Sequence, residues 1–100
     1  MVQGFENDFG KYCDAHHCVG VGSGTDALRF ALIAAGIGHG DGVVTVLNTF
    51  IATTEAISQA GAHPVFVDVD EATYNLNPTK LREFIETRCT VDVVLSLIHI

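Results

Sequence analysis

Basic side chains are scarce in this chain. Five Lys and Arg stand against twelve Asp and Glu, a formal net charge of -7 over 100 residues. That balance argues against the phosphate backbone of a nucleic acid, or an anionic membrane surface, as partner. It leaves room for one phosphate, which a helix N-terminus can bind without any cation. No apolar run approaches the roughly 20 residues of a membrane helix. The N-terminus is polar and acidic, unlike a signal peptide. Cysteine is sparse as well: Cys13, Cys18 and Cys89 are odd in number and sit in ordinary core patterns. They fit a reduced cytoplasm better than a disulfide framework. There is no internal repeat, no linker and no low-complexity segment. With 48% hydrophobic and 17% charged residues, the chain reads as one core-rich domain rather than a disordered one.

The elements follow from periodicity. Phe5, Phe9 and Tyr12 have helical spacing, which predicts a helix over 3–14. His17-Cys18-Val19-Gly20-Val21 reads as a first strand. Thr25 to Ala35 reads as a helix with Ala27, Leu28, Ala31, Leu32 and Ala35 on one face. Ser23 and Asp26 have capping-box spacing at its start, and Gly36 and Gly38 end it. After the turn Gly40-Asp41-Gly42, the run 43–47 suits a buried parallel strand. Ile51 to Gln59 predicts a small-residue helix closed near Gly61, and 64–70 a third strand turning acidic at its end. Asn77 and Pro78 open a fourth helix whose inner face is Leu81, Phe84 and Ile85. Val91 to Leu97 is a fourth strand candidate. Helices and strands alternating over short connections predict an α/β fold: a three-layer α/β/α arrangement around a mostly parallel sheet.

The stretch from Val19 to Leu28 combines a strand, a turn with Gly20, Gly22 and Gly24, and a helix start at Thr25 and Asp26. Glycines permit close backbone approach, and the helix start favours an anion. A phosphate is the simplest ligand for it, while glycines serving only tight packing is the plain alternative. The dinucleotide fingerprint is not met: from Gly20 the third-glycine position is Thr25, from Gly22 it is Ala27, and the second strand ends in Asn48. No Lys closes the turn as a P-loop requires. Phe50 follows the end of a strand, where an aromatic can stack on a flat cofactor ring or fill a core. The spacing of Cys13, His16, His17 and Cys18 matches no zinc pattern, and no Ser-His-Asp or Cys-His arrangement has positional support.

Five blocks then align in order. They are Gly22-Ser23-Gly24-Thr25-Asp26-Ala27-Leu28, Gly36-Ile37-Gly38 with Gly40-Asp41, Thr49-Phe50-Ile51-Ala52-Thr53, Gly61-Ala62 with Pro64 to Asp70, and Thr73-Tyr74-Asn75. Together they resemble the DegT/DnrJ/EryC1/StrS aminotransferases, from about Phe5 to Val94. The resemblance implies a partial large domain of the aspartate-aminotransferase fold (fold type I) over 1–94, with pyridoxal 5'-phosphate as cofactor. It implies amino transfer from an amino-acid donor to a nucleotide-linked keto-sugar, in a cytoplasmic homodimer. Gly24 and Thr25 would give the phosphate backbone N–H groups, with the Thr25 hydroxyl near, and Phe50 would stack on the ring. Asp26 would shape the turn or act only as a cap, and Asp68 and Asp70 would be structural strand-end residues.

The family's ring-nitrogen aspartate and Schiff-base lysine belong downstream of these blocks, and the chain's Lys11 and Lys80 match neither. The 100 residues alone are therefore expected to be inactive. Residues 95–100 depart from the family pattern and read as a non-native tail. Three other readings remain: a related pyridoxal-phosphate sugar dehydratase, a small Rossmann-like cofactor-binding module, against which Asn48-Thr49-Phe50 argues, and a non-catalytic fold fragment with no ligand.

Overall fold

A computed structural model describes residues 1–88 together with Val93 and Val94. The element order is α1 (Val2–Tyr12), α2 (Gly24–Ala34), β1 (Gly42–Thr45), α3 (Ala52–Gln59), β2 (His63–Phe66), α4 (Pro78–Arg88) and β3 (Val93–Val94). The strands form one sheet in the order β2-β1-β3. Both pairings are parallel, with Val44 opposite Val65 on one side and Val94 on the other. Pro64 has no N–H to give a ladder, and it sits in β2, at the edge of the described sheet.

β1 is buried along its whole length, as its unbroken apolar run predicts. Val43 joins Leu32 of α2, Ile57 of α3 and Ala62 in the core, with Ile37 and Ala60 packed against them. Val44 points to the other face of the sheet and is also fully buried.

Three helices end in the same way. In α2, Gly36 N–H donates to Ile33 O and Ile37 N–H to Leu32 O, both at 3.0 Å. In α3, Gly61 N–H donates to Ser58 O and Ala62 N–H to Ile57 O. Gly36 and Gly61 take the left-handed φ this closure requires, 81° and 90°. Each closure brings a residue beyond the helix, Ile37 or Ala62, back onto the residue it bonds, Leu32 or Ile57. Both pairs feed the same core cluster. In α1 the left-handed position falls to Asp14, with Ala15 N–H donating to Gly10 O.

Residues 17–21 do not form the first strand that their apolar alternation suggests. The segment is not paired to the sheet, and Val19 and Val21 are exposed. Alternation supplies a candidate strand, but a strand exists only through a partner's hydrogen bonds, and among the described residues none pairs with this run. The α2 face is also narrower than predicted: Leu32 is buried and Leu28 half-buried, whereas Ala27, Ala31 and Ala35 are exposed. The fourth strand candidate survives as Val93–Val94 in β3, and the rest of 91–97 lies outside the described residues. So does the proposed tail, 95–100.

Candidate functional site

Ser23 sets the start of α2. Its backbone is extended, its Oγ accepts from Asp26 N–H at 3.1 Å, and its carbonyl accepts the first helical bond, from Ala27 N–H. The N–H groups of Gly24 and Thr25 precede that first bond and have no helical acceptor. A side chain added at Gly24 would meet nothing within 4 Å, so this face of the turn is open.

The three glycines do different work, and none of them has a left-handed φ. A Cβ at Gly20 would lie 3.1 Å from Val2 Cγ1 and 3.3 Å from Glu6 Oε1, so this glycine admits α1. A Cβ at Gly22 would lie 3.1 Å from Asp26 Oδ2, so this one admits the Asp26 carboxylate. Only Gly24 offers an open face to a ligand. Asp26 would repel an anion at the helix start, but Arg29 Nη2 lies 3.0 Å from its other oxygen and offsets the charge. The same guanidinium lies 4.6 Å from the centre of the Phe30 ring.

Phe50 follows the turn that leaves β1. Thr53 N–H donates to its carbonyl at 3.1 Å, and the Thr49 and Thr53 hydroxyls are 2.9 Å apart. Thr53 is fully buried, which fixes the start of α3, while Phe50 itself is 68% exposed.

Topology relates the two features. The segment 35–41 joins the end of α2 to the start of β1, and Leu32 near that helix end packs with Val43 near the strand start. The end of α3 likewise feeds β2 through Ala62. The C-terminal ends of both helices thus gather at the N-terminal edge of the sheet. Their starts, with Gly24 and Thr25 at one and Phe50 just before the other, are the ends away from that edge, the side on which open α/β sheets bind ligands.

Other polar residues shape this edge. Asp70 Oδ1 accepts from Ala72 and Thr73 N–H, and Asp68 Oδ1 from Val69 N–H, which is turn-building work. Asn48 Nδ2 donates to Tyr74 O at 3.2 Å and ties the strand-end loop of β1 to that turn. Lys11 is exposed on α1, and Lys80 lies 3.7 Å from Glu83 on α4. Among the described residues no three His, Cys, Asp or Glu side chains are grouped as a metal site, and no helix is long and apolar enough to cross a membrane. Three contributors escape a reading of the sequence: Glu6, Asn48 and Arg29. Only Arg29 leaves a local signal, the i, i+3 spacing from Asp26.

The DegT/DnrJ/EryC1/StrS aminotransferase family model matches residues 1–98. Over 96 residues the chain is 45% identical to a dTDP-3-amino-3,6-dideoxy-alpha-D-galactopyranose transaminase of Aneurinibacillus thermoaerophilus, covering 96% of this chain and 26% of that protein. The crystal structure of an aminotransferase from Psychrobacter cryohalolentis superposes with a TM-score of 0.87 at 36% identity, over 95% of this chain and 24% of that one. NtdA from Bacillus subtilis, solved with bound cofactor PMP, superposes with a TM-score of 0.88 at 30% identity, over 95% and 21%. The chain spans about a quarter of the length of the curated relatives it matches. It belongs to the DegT/DnrJ/EryC1/StrS aminotransferase family.

Proposed function

We propose that this chain is part of the large domain of a pyridoxal-phosphate-dependent aminotransferase, and that it holds the cofactor's phosphate and one face of its ring. The protein as a whole would move an amino group from an amino-acid donor, commonly glutamate, to a nucleotide-linked keto-sugar. The observation that carries the reading is the start of α2: two N–H groups without helical acceptors beside an open glycine face. The residues present fit such a group, since an exposed aromatic, Phe50, follows the end of β1.

When bound, the cofactor supplies the electron sink that amino transfer needs. The chain's own residues bind and orient. Gly24 and Thr25 N–H, with the Thr25 hydroxyl, hold the phosphate at the positive end of α2. Phe50 covers one face of the ring and keeps water from it. Neither Lys11 nor Lys80 is assigned the covalent or proton-transfer work, which belongs to a part of the protein outside these residues. The same reading makes the protein a cytoplasmic homodimer. The odd, scattered cysteines of the sequence support the compartment.

The test uses a full-length protein carrying this region, with pyridoxal phosphate, glutamate and keto-sugars linked to dTDP or UDP. An aminated sugar nucleotide is the expected product, and Thr25→Pro, which removes a phosphate-facing N–H, abolishes it. A protein that binds the cofactor yet aminates none of these substrates would overturn the proposed reaction. One that binds no pyridoxal phosphate would overturn the site.

A further inference from the structure

We infer that Glu6 of α1 is a positioning residue for the phosphate cradle, acting through the backbone of Gly20. The inference rests on the proposed cofactor site and deepens it. The run from Cys18 to Gly22, which leads into α2, rests against α1. Glu6 Oε1 accepts from Gly20 N–H at 2.6 Å, across fourteen residues of sequence. A carboxylate acceptor makes this a short, charge-assisted bond, stronger than a neutral one.

The backbone comes close to α1 at two points. A Cβ at Gly20 would press on Val2 Cγ1 and on the Glu6 carboxylate itself. A Cβ at Gly10, the buried residue of α1, would lie 3.4 Å from Cys18 Cβ. Cys18 and Gly20 are thus both seated on one helix, with Glu6 supplying the hydrogen bond. From Gly20 it is three residues to the Ser23 cap and five to Thr25, through an extended Ser23. A shift at Gly20 is therefore carried into the direction in which Gly24 and Thr25 aim their N–H groups. Glu6 need not touch the ligand to do this; it sets the angle at which the chain enters α2.

The test measures binding by equilibrium dialysis of the full-length protein carrying this region against inorganic phosphate, pyridoxal phosphate and pyridoxal. Glu6→Ala is expected to weaken both phosphate-bearing ligands about tenfold, the scale of one lost hydrogen bond to a charged group, and to leave pyridoxal unchanged. Glu6→Gln keeps a carbonyl that can accept the same N–H, and recovers most of the loss. In the unsubstituted protein, Gly20 N–H exchanges with solvent at least about tenfold more slowly than Gly22 N–H, as a hydrogen-bonded amide should; this needs no variant to fold. Unchanged phosphate affinity in Glu6→Ala, an equal loss for pyridoxal, or an unprotected Gly20 amide would each overturn the role of Glu6 alone. If the unsubstituted protein binds pyridoxal phosphate no better than pyridoxal, the cradle itself falls, and the inference with it.

Discussion

Alanine placed in turn at Gly20, Gly22 and Gly24 separates three roles that one glycine pattern conceals. At Gly20 the new methyl meets Val2 Cγ1 at 3.1 Å and Glu6 Oε1 at 3.3 Å, so α1 or the turn must move. Overpacking of this kind costs about 1–3 kcal/mol, and the lower end applies because Val2 sits exposed at the start of its helix. At Gly22 the methyl meets only Asp26 Oδ2, the tip of a side chain that can turn. The loss is then that of the partly exposed Asp26–Arg29 pair, at most about 1 kcal/mol. At Gly24 nothing stands within 4 Å and the φ is not left-handed, so alanine should stabilise, by about 0.4–1 kcal/mol. The assay is thermal unfolding followed by far-ultraviolet circular dichroism, where 1 kcal/mol moves the midpoint by roughly 4–8 °C for a chain of this size. The expected order is Gly24→Ala above the unsubstituted chain, then Gly22→Ala, then Gly20→Ala. Gly24→Ala should also bind phosphate less well, since its methyl occupies the open face. A Gly24→Ala chain that melts below the unsubstituted one, or Gly20→Ala that melts no lower than Gly22→Ala, would refute the assignment.

Phe50→Ala should weaken cofactor retention by about 1–3 kcal/mol, the scale of one lost aromatic stacking partner, with little change in melting because the ring is exposed; spectrophotometric dialysis of the full-length protein reads it. Ile57→Ala should destabilise by about 2–5 kcal/mol, since this side chain is fully buried in the cluster that joins α2, β1 and α3; urea unfolding measures it. Asn77 Oδ1 accepts from Thr79 and Lys80 N–H, so Asn77→Ala should cost about 0.5–2 kcal/mol. Faster hydrogen exchange at those two amides would report it.

Local chemistry made much of this structure legible. The Ser23 and Asn77 caps, the glycine closures at Gly36 and Gly61, and the buried run of β1 each follow from residue types a few positions apart. What failed was non-local. Residues 17–21 have strand composition, but no local pattern says whether a partner strand is present. Glu6 reads as one more polar helix residue, because its acceptor role depends on Gly20 folding back fourteen positions away. The glycine turn was legible as a site but not in its parts: only the neighbours in space, Val2, Glu6 and Asp26, tell which glycine is left for a ligand. Phe50 was open between core and ligand because exposure is a tertiary property; among the described residues its ring is uncovered.

The central claim is that Gly24 and Thr25 present their N–H groups to the cofactor's phosphate. Amide chemical shifts of the 15N-labelled chain, followed during titration with pyridoxal phosphate and separately with pyridoxal, test it most directly. The account predicts that the Gly24 and Thr25 amides move furthest with pyridoxal phosphate, move again with inorganic phosphate, and stay in place with pyridoxal. Phosphate-dependent shifts centred elsewhere, with Gly24 and Thr25 unmoved, would contradict it.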